Sequence, residues 1–181
     1  PEGDGQPDPA ALGDDNDGND DEDGVVFPPL TPGVPAPVTV TVSGGGGFVD
    51  AWIDFNHDLI WDVSEQISSG WMGDGNHVIM VTAPAGSPAG QTFARFRIST
   101  AGGLTPVGPA SDGEVEDHEA IITEPLMDFG DAPDSPDAPG YPTLLGHNGA
   151  RHVIAGPWLG DDTDAPDPEG NGQPNATATG D

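Results

Sequence analysis

The chain has 181 residues, of which 34% are hydrophobic, with 28 glycines and 21 prolines, a composition that suits a loop-rich all-β protein or a partly disordered one. Aspartate and glutamate total 32 against three cations, Arg95, Arg97 and Arg151, for a formal charge of −29, far beyond the magnitude of about 2–8 that suits a small domain. Such a chain repels itself on compaction unless counter-cations bind at fixed places, and it offers no basic patch to nucleic acid and no attraction to an anionic membrane.

There is no cysteine, so disulfides and thiolate metal sites are out of reach. No apolar run approaches the roughly 20 residues that span a bilayer, so membrane insertion is not expected. No signal peptide is recognisable and the first residue is Pro1, which leads us to expect a processed product or an excised segment.

The two ends of the chain are alike. Pro1-Glu2-Gly3-Asp4-Gly5-Gln6-Pro7 recurs as Pro168-Glu169-Gly170-Asn171-Gly172-Gln173-Pro174, and Ala11, Gly13 and Asp14 recur as Ala178, Gly180 and Asp181. The offset between Pro1 and Pro168 is 167 residues without a gap. The expectation is slightly more than one unit of a tandem array, with an acidic connecting segment at 1–24, a β domain at 25–124, and a Gly/Pro/Asp-rich connecting segment at 125–181.

The first segment holds an acidic run at 14–23. Asp15, Asp17, Asp20, Asp21 and Asp23 are closely spaced, with glycines at 18 and 24, and resemble the aspartate-rich calcium repeats of thrombospondin-type modules. The alternative is a solvated linker, which charge runs usually are. The hydrophobic Val25-Val26-Phe27 that follows at once favours cation binding.

Strand signals fill the middle region. Val38, Val40 and Val42 alternate with Thr39 and Thr41, the pattern of a half-buried strand. The glycines at 44–47 predict a turn, 48–55 a second strand, and 77–81 a short third one, apolar on both faces. In 93–99, Ala94, Phe96 and Ile98 share one face while Arg95 and Arg97 share the other. The last strand covers 115–122. Glu114 and Glu116 have the same spacing as the two arginines, which predicts cross-strand pairs between them. Short strands separated by turn signals, with no sustained helical period, predict an Ig-like β-sandwich.

The sharpest motif lies at 54–65. With Asp54 as position 1, Asn56 is 3, Asp58 is 5, Ile60 is 7, Asp62 is 9 and Glu65 is 12, the ligand spacing of an EF-hand loop. Ca²⁺ is a hard cation that takes 6–8 oxygens, and alternate side chains of a tight loop converge on one ion. Position 7 serves through its backbone carbonyl, position 9 often through water, and Glu65 through both oxygens. Leu59 stands at position 6, where a left-handed glycine is expected, so a distorted loop or fewer ligands is predicted. The flanks are strand-like rather than helical. The competing reading is a plain acidic turn.

A weaker group, Asp128, Asp131 and Asp134, lies with Asp161, Asp162, Asp164 and Asp167 in the last segment. Of these, Asp128, Asp131 and Asp164 are taken as candidate ligands, together with Glu116 and Asp117. Several Ca²⁺ ions are therefore expected. The five histidines, at 57, 77, 118, 147 and 152, show no helical pair, and a structural hydrogen bond is the better expectation for each. No nucleophile elbow, P-loop or dinucleotide fingerprint is present, so no enzymatic activity is expected. Trp52, Trp61, Trp71 and Trp158 form either a sugar-stacking platform or, more commonly, anchors. Asn175-Ala176-Thr177 is a lone glycosylation sequon.

Three stretches together resemble the GEVED domain of large secreted bacterial proteins: Ala51-Trp52-Ile53-Asp54-Phe55-Asn56-His57-Asp58, then Ala94-Arg95-Phe96-Arg97, then Asp112-Gly113-Glu114-Val115-Glu116-Asp117-His118. Asp128-Phe129-Gly130-Asp131-Ala132-Pro133-Asp134, Tyr141-Pro142-Thr143, Gly149-Ala150-Arg151-His152 and Leu159-Gly160 resemble the segment that accompanies it. Leu59 departs from the family pattern, and so does His118, where tyrosine is more usual. The resemblance implies a cell-surface or secreted multi-repeat protein without established enzymatic activity. The expected role is therefore a calcium-stabilised repeat of an extracellular fibre or surface stalk, in head-to-tail contact with copies of itself. The alternative is an adhesion module for glycan or protein ligands at the cell surface.

Overall fold

A computed structural model describes residues 7–9, 11, 24–135, 140–154, 157–161, 163 and 165–179. The candidate ligands Asp15, Asp17, Asp20, Asp21, Asp23 and Asp164 lie outside the described residues.

Among the described residues, nine strands run in chain order: β1 (Val25–Val26), β2 (Ala36–Val42), β3 (Gly47–Ile53), β4 (Gln66–Met72), β5 (Gly75–Val81), β6 (Gly90–Ser99), β7 (Glu114–Ile122), β8 (Met127–Phe129) and β9 (Arg151–Val153). The first seven make two antiparallel sheets, β1-β2-β5 and β4-β3-β6-β7, and the last two form a separate pair. Lettered from A along the chain, this is the immunoglobulin order with its fourth strand moved from the first sheet to the second. The protein is an all-β sandwich.

Alternation of side chains creates the core. Val38, Val40 and Val42 of β2 meet Val49, Ala51 and Ile53 of β3 and Ala94 and Phe96 of β6 in one buried cluster. Phe27 packs edge-on against Phe96, 5.8 Å between centroids, and so ties β1 to the opposite sheet. At one end of the sandwich Leu30 bridges to Ile122. Residue 24, where β1 is entered, lies at the other end with Val42, Ile98 and Glu114 around one cleft. The chain thus enters β1 at one end and leaves β7 at the opposite end.

Two expectations need correction. The strand at 77–81 begins two residues earlier, at Gly75, and the apolar residues of its outward face, Val78 and Met80, are exposed. The arginines do not pair with Glu114 and Glu116. Register sets Arg95 opposite Asp117 and Phe96 opposite Glu116, so with a side-chain period of two, Glu116 turns inward and Asp117 meets the arginine face.

Candidate functional site

The segment at 54–65 connects β3 to β4 at the end of the sandwich where β7 leaves. Its base is pinned by backbone and side-chain bonds to the start of β6. Asp54 N donates to Phe93 O (3.1 Å), and Thr92 Oγ1 donates to Asp54 O (2.5 Å). Trp61 Nε1 reaches the same Phe93 carbonyl at 3.1 Å.

Within the loop the carboxylates fold the backbone around themselves. Asp54 is buried, and its two oxygens accept from Asp58 N (3.2 Å) and Leu59 N (2.9 Å). Asn56 Oδ1 also accepts from Asp58 N, at 2.8 Å, and Asp58 Oδ1 accepts from Ile60 N at 2.9 Å. Glu65, likewise buried, returns across the loop to accept from Phe55 N (2.9 Å) and Asp62 N (3.2 Å). Asp62 caps the single 3-10 turn Val63–Glu65 through Ser64 N and Ser64 Oγ, and with Glu65 it completes a capping box.

The backbone is left-handed at His57 (φ 59°) and at Leu59 (φ 67°). Position 6 of the EF-hand spacing thus has the conformation that the spacing demands, carried by a leucine whose side chain is 87% exposed. The distortion expected there is absent from the backbone. The requirement appears instead as local strain, since a left-handed residue with a Cβ costs about 1–2 kcal/mol.

Electrostatics divide the loop's acids. Burial, reinforced by the charge of Asp54, pushes the Glu65 carboxyl above its ordinary value despite its amide bonds. Asp62 is held below its ordinary value, first by the Ser64 hydroxyl and then by the Ser64 amide. Asp54, Asn56, Asp58, Asp62 and Glu65 therefore all belong to one compact, oxygen-rich loop. Among the described residues, no group of three or more His, Asp or Glu side chains is drawn together as a metal-holding set.

The other candidate ligands lie elsewhere. Asp117 forms a two-pronged pair with Arg95, at 2.7 Å and 2.5 Å, and the Arg95 guanidinium lies 4.3 Å above the Trp61 ring. Asp117 thereby supports the loop from outside through a cation–π contact. Glu116 faces inward and sits 2.9 Å from His118 Nε2. It borders a cleft of about 350 Å³ with Gly24, Val25, Val40, Phe96 and Ile98. Asp128 sits in β8 opposite His152. The Asp131 carbonyl accepts from Asn175 N. Asp134, from the same group, holds Thr143 N and Leu144 N and lies 2.6 Å from His147 Nδ1. None of these residues joins the loop at 54–65. Of the four tryptophans, Trp52 is buried, Trp61 lies under Arg95, Trp71 is exposed against Phe48, and Trp158 is exposed with its Nε1 donating to the Asp161 carbonyl.

A second organised loop, 100–113, was not anticipated as a feature. Arg97 is buried, and its guanidinium donates to the carbonyls of Thr105, Val107 and Gly108. Asp50, 1% exposed, accepts from Leu104 N through one oxygen, while its other oxygen has no hydrogen-bond partner among the described residues. The signal in the sequence was Asp50 itself, an acid in the middle of an apolar strand.

Residues 48–121, which span β3 to β7, match the GEVED domain. No curated protein and no solved structure matches the chain significantly. The residues after which the family is named, Gly113-Glu114-Val115-Glu116-Asp117, have separable structural roles here. A Cβ on Gly113 would overlap the Ile98 carbonyl, Glu116 pairs with His118, and Asp117 pairs with Arg95.

Proposed function

We propose that this chain is a calcium-stabilised structural repeat of an extracellular fibre or surface stalk, not a catalyst. The observation that carries the reading is the loop at 54–65, where Leu59 adopts the left-handed backbone of position 6 and Asp54, Asn56, Asp58, Asp62 and Glu65 share one loop whose backbone amides they hold. Each carboxylate oxygen has about two lone pairs, so an amide bond to one leaves the other for a cation. Ca²⁺ held there would draw on these side chains and the Ile60 carbonyl, would neutralise two buried acids, and would link metal binding to folding.

Three further features support the reading. A charge of −29 calls for bound cations. The recurrence of Pro1–Pro7 at Pro168–Pro174 suits a tandem array, and a domain entered and left at opposite ends suits head-to-tail connection. The other ligand candidates, in the acidic run at 14–23 and in the last segment, would add ions at the junctions. Glycan or protein adhesion is the weaker reading, because of the tryptophans considered for it only Trp71 is well exposed within the GEVED segment.

Thermal unfolding in millimolar calcium and in excess chelator tests the proposal. A higher midpoint in calcium, lost in Asp54→Ala, is the expected result. Identical midpoints in the two buffers sink it.

A further inference from the structure

The two flanks of the sandwich differ in charge. On one flank the outermost strand is β7, which carries Glu114, Glu116, Asp117 and Glu119. On the other flank the sheets end in β4 and β5, and from Gln66 to Val81 the sole carboxylate is Asp74. In a chain with 32 acidic residues, this neutral flank is a surface apart.

Of its two strands, β5 is built for pairing. It keeps seven consecutive register pairs with β2, and among the described residues no other strand bonds to it. β4, by contrast, is interrupted by a register shift at Ala51/Trp52 of its partner, one of the devices that spoil an edge. The outward face of the β1-β2-β5 sheet carries exposed apolar residues among uncharged polar ones, Thr39, Thr41 and Asn76. Val26, Val78 and Met80 are 64%, 61% and 60% exposed, and Val26, Thr39 and Val78 lie in one row across the three strands. A regular, uncharged, apolar edge strand is a template for another strand.

Charge identifies the occupant. A basic partner would be drawn to the acidic β7 flank. Two copies of this chain, each at −29, repel across acidic surfaces, and the β5 flank lets them touch without setting carboxylate against carboxylate. We infer that β5 pairs antiparallel with β5 of a second copy about a two-fold axis at Val78. Val78 then faces its own counterpart, Asn76 faces Met80, and His77 faces Ile79. The two three-stranded sheets become one six-stranded sheet, and the exposed row from Val26 to Val78 continues across the axis. Such an isologous contact closes as a dimer. It is lateral and needs no metal, so it adds to the fibre reading without depending on calcium.

The test is sedimentation equilibrium of the full chain in chelator, at low salt and at about 1 M salt, where the screening length falls to about 3 Å. A monomer–dimer equilibrium that tightens with salt is expected. Val78→Glu places two like charges at the axis and should weaken the dimer about tenfold or more. Val115→Glu, on the β7 strand, should leave it unchanged. Because the chain has no cysteine, Val78→Cys gives a second readout: oxidation should yield a covalent dimer, and Val26→Cys, at the far strand, should not. Circular dichroism checks that each exposed-site variant stays folded. A monomer at about 1 M salt overturns the inference. So does association that survives Val78→Glu and gives no cross-link through Val78→Cys, which would assign assembly to another surface. Chelator in every arm keeps this outcome separate from the fate of the calcium reading.

Discussion

The sandwich carries two long connections, and they are organised by opposite charges. The loop at 54–65 is anionic at its centre: Asp54 and Glu65 gather backbone amides. The loop at 100–113 is gathered by cations, with Arg97 taking three carbonyls and Arg95 a fourth, that of Pro106. The division is not complete, because the 100–113 loop also gives Leu104 N to the buried Asp50 and Thr100 N to Asp112. The difference bears on function. A loop whose amides are used and whose outward groups are oxygens is disposed to accept a cation. A loop that already holds two guanidinium groups is not.

The largest effect that would break this contrast is expected from Arg97→Ala. It strips three carbonyls of a charged donor at a buried position, and charge-assisted bonds contribute about 1.5–3 kcal/mol each before the loop rehydrates. A loss of roughly 3 kcal/mol in urea unfolding is expected. Arg97→Lys should restore only part of it, because one ammonium cannot reproduce a planar fork. A loss below about 1 kcal/mol would mean that the carbonyls are as well served by water.

Next comes Glu65→Ala, expected to cost about 2 kcal/mol in chelator because two amides lose a buried acceptor. On the proposed function it should also abolish the calcium-dependent rise in midpoint, whereas Asp112→Ala should keep that rise. A calcium response that survives Glu65→Ala would move the ion to the other acidic segments. The two variants together separate what the loop owes to its own hydrogen bonds from what it owes to metal.

The two loops were unequally legible in the sequence. Side chains act at 54–65, and their spacing can be read directly, although Asp62 and Glu65 served two templates at once. They fit positions 9 and 12 of a calcium loop, and they also fit the ends of a capping box, which the structure displays. At 100–113 the acceptors are backbone carbonyls, which every residue possesses, so no pattern marks them. The partner of Arg95 depended on register, and a connection as long as 100–113 leaves register undetermined within one or two residues. Among the strands, β3 is buried on both faces from Val49 to Ile53, while β2 and β6 alternate clearly. β4, Gln-Ile-Ser-Ser-Gly-Trp-Met, does not, because it is an edge strand whose place is set by pairing with β3 and not by its own burial.

A smaller effect, of opposite sign, is expected from Leu59→Gly. The side chain is exposed, so little packing is lost, while the left-handed backbone at φ 67° becomes unstrained. Relief of about 1–2 kcal/mol is offset by glycine's greater chain entropy, about 0.5–1 kcal/mol. A net gain of up to about 1 kcal/mol is expected. A net loss would show that Leu59 makes a contact in solution that its exposure does not reveal.

The smallest effect distinguishes the loops by pH. Asp112 accepts from Thr100 N and Thr100 Oγ1, and its carboxyl is held below the ordinary 3.8 by the hydroxyl bond first and the amide bond second. A depressed carboxyl adds stability above its unfolded value and gives it up as pH falls through the folded one. The 100–113 loop should therefore loosen only below pH 3.8. Glu65 runs the other way: its folded value lies above the ordinary 4.5 because of burial, so the stability that goes with its protonated form declines as pH rises from 4.5 through that raised value. In chelator, nuclear magnetic resonance titration of the Thr100 and Phe55 amides, each bonded to one of these acids, should give midpoints on opposite sides of the ordinary carboxylate range. Coincident midpoints would mean that the two carboxylates share one environment in solution, and the contrast between the loops would fail at its most local point.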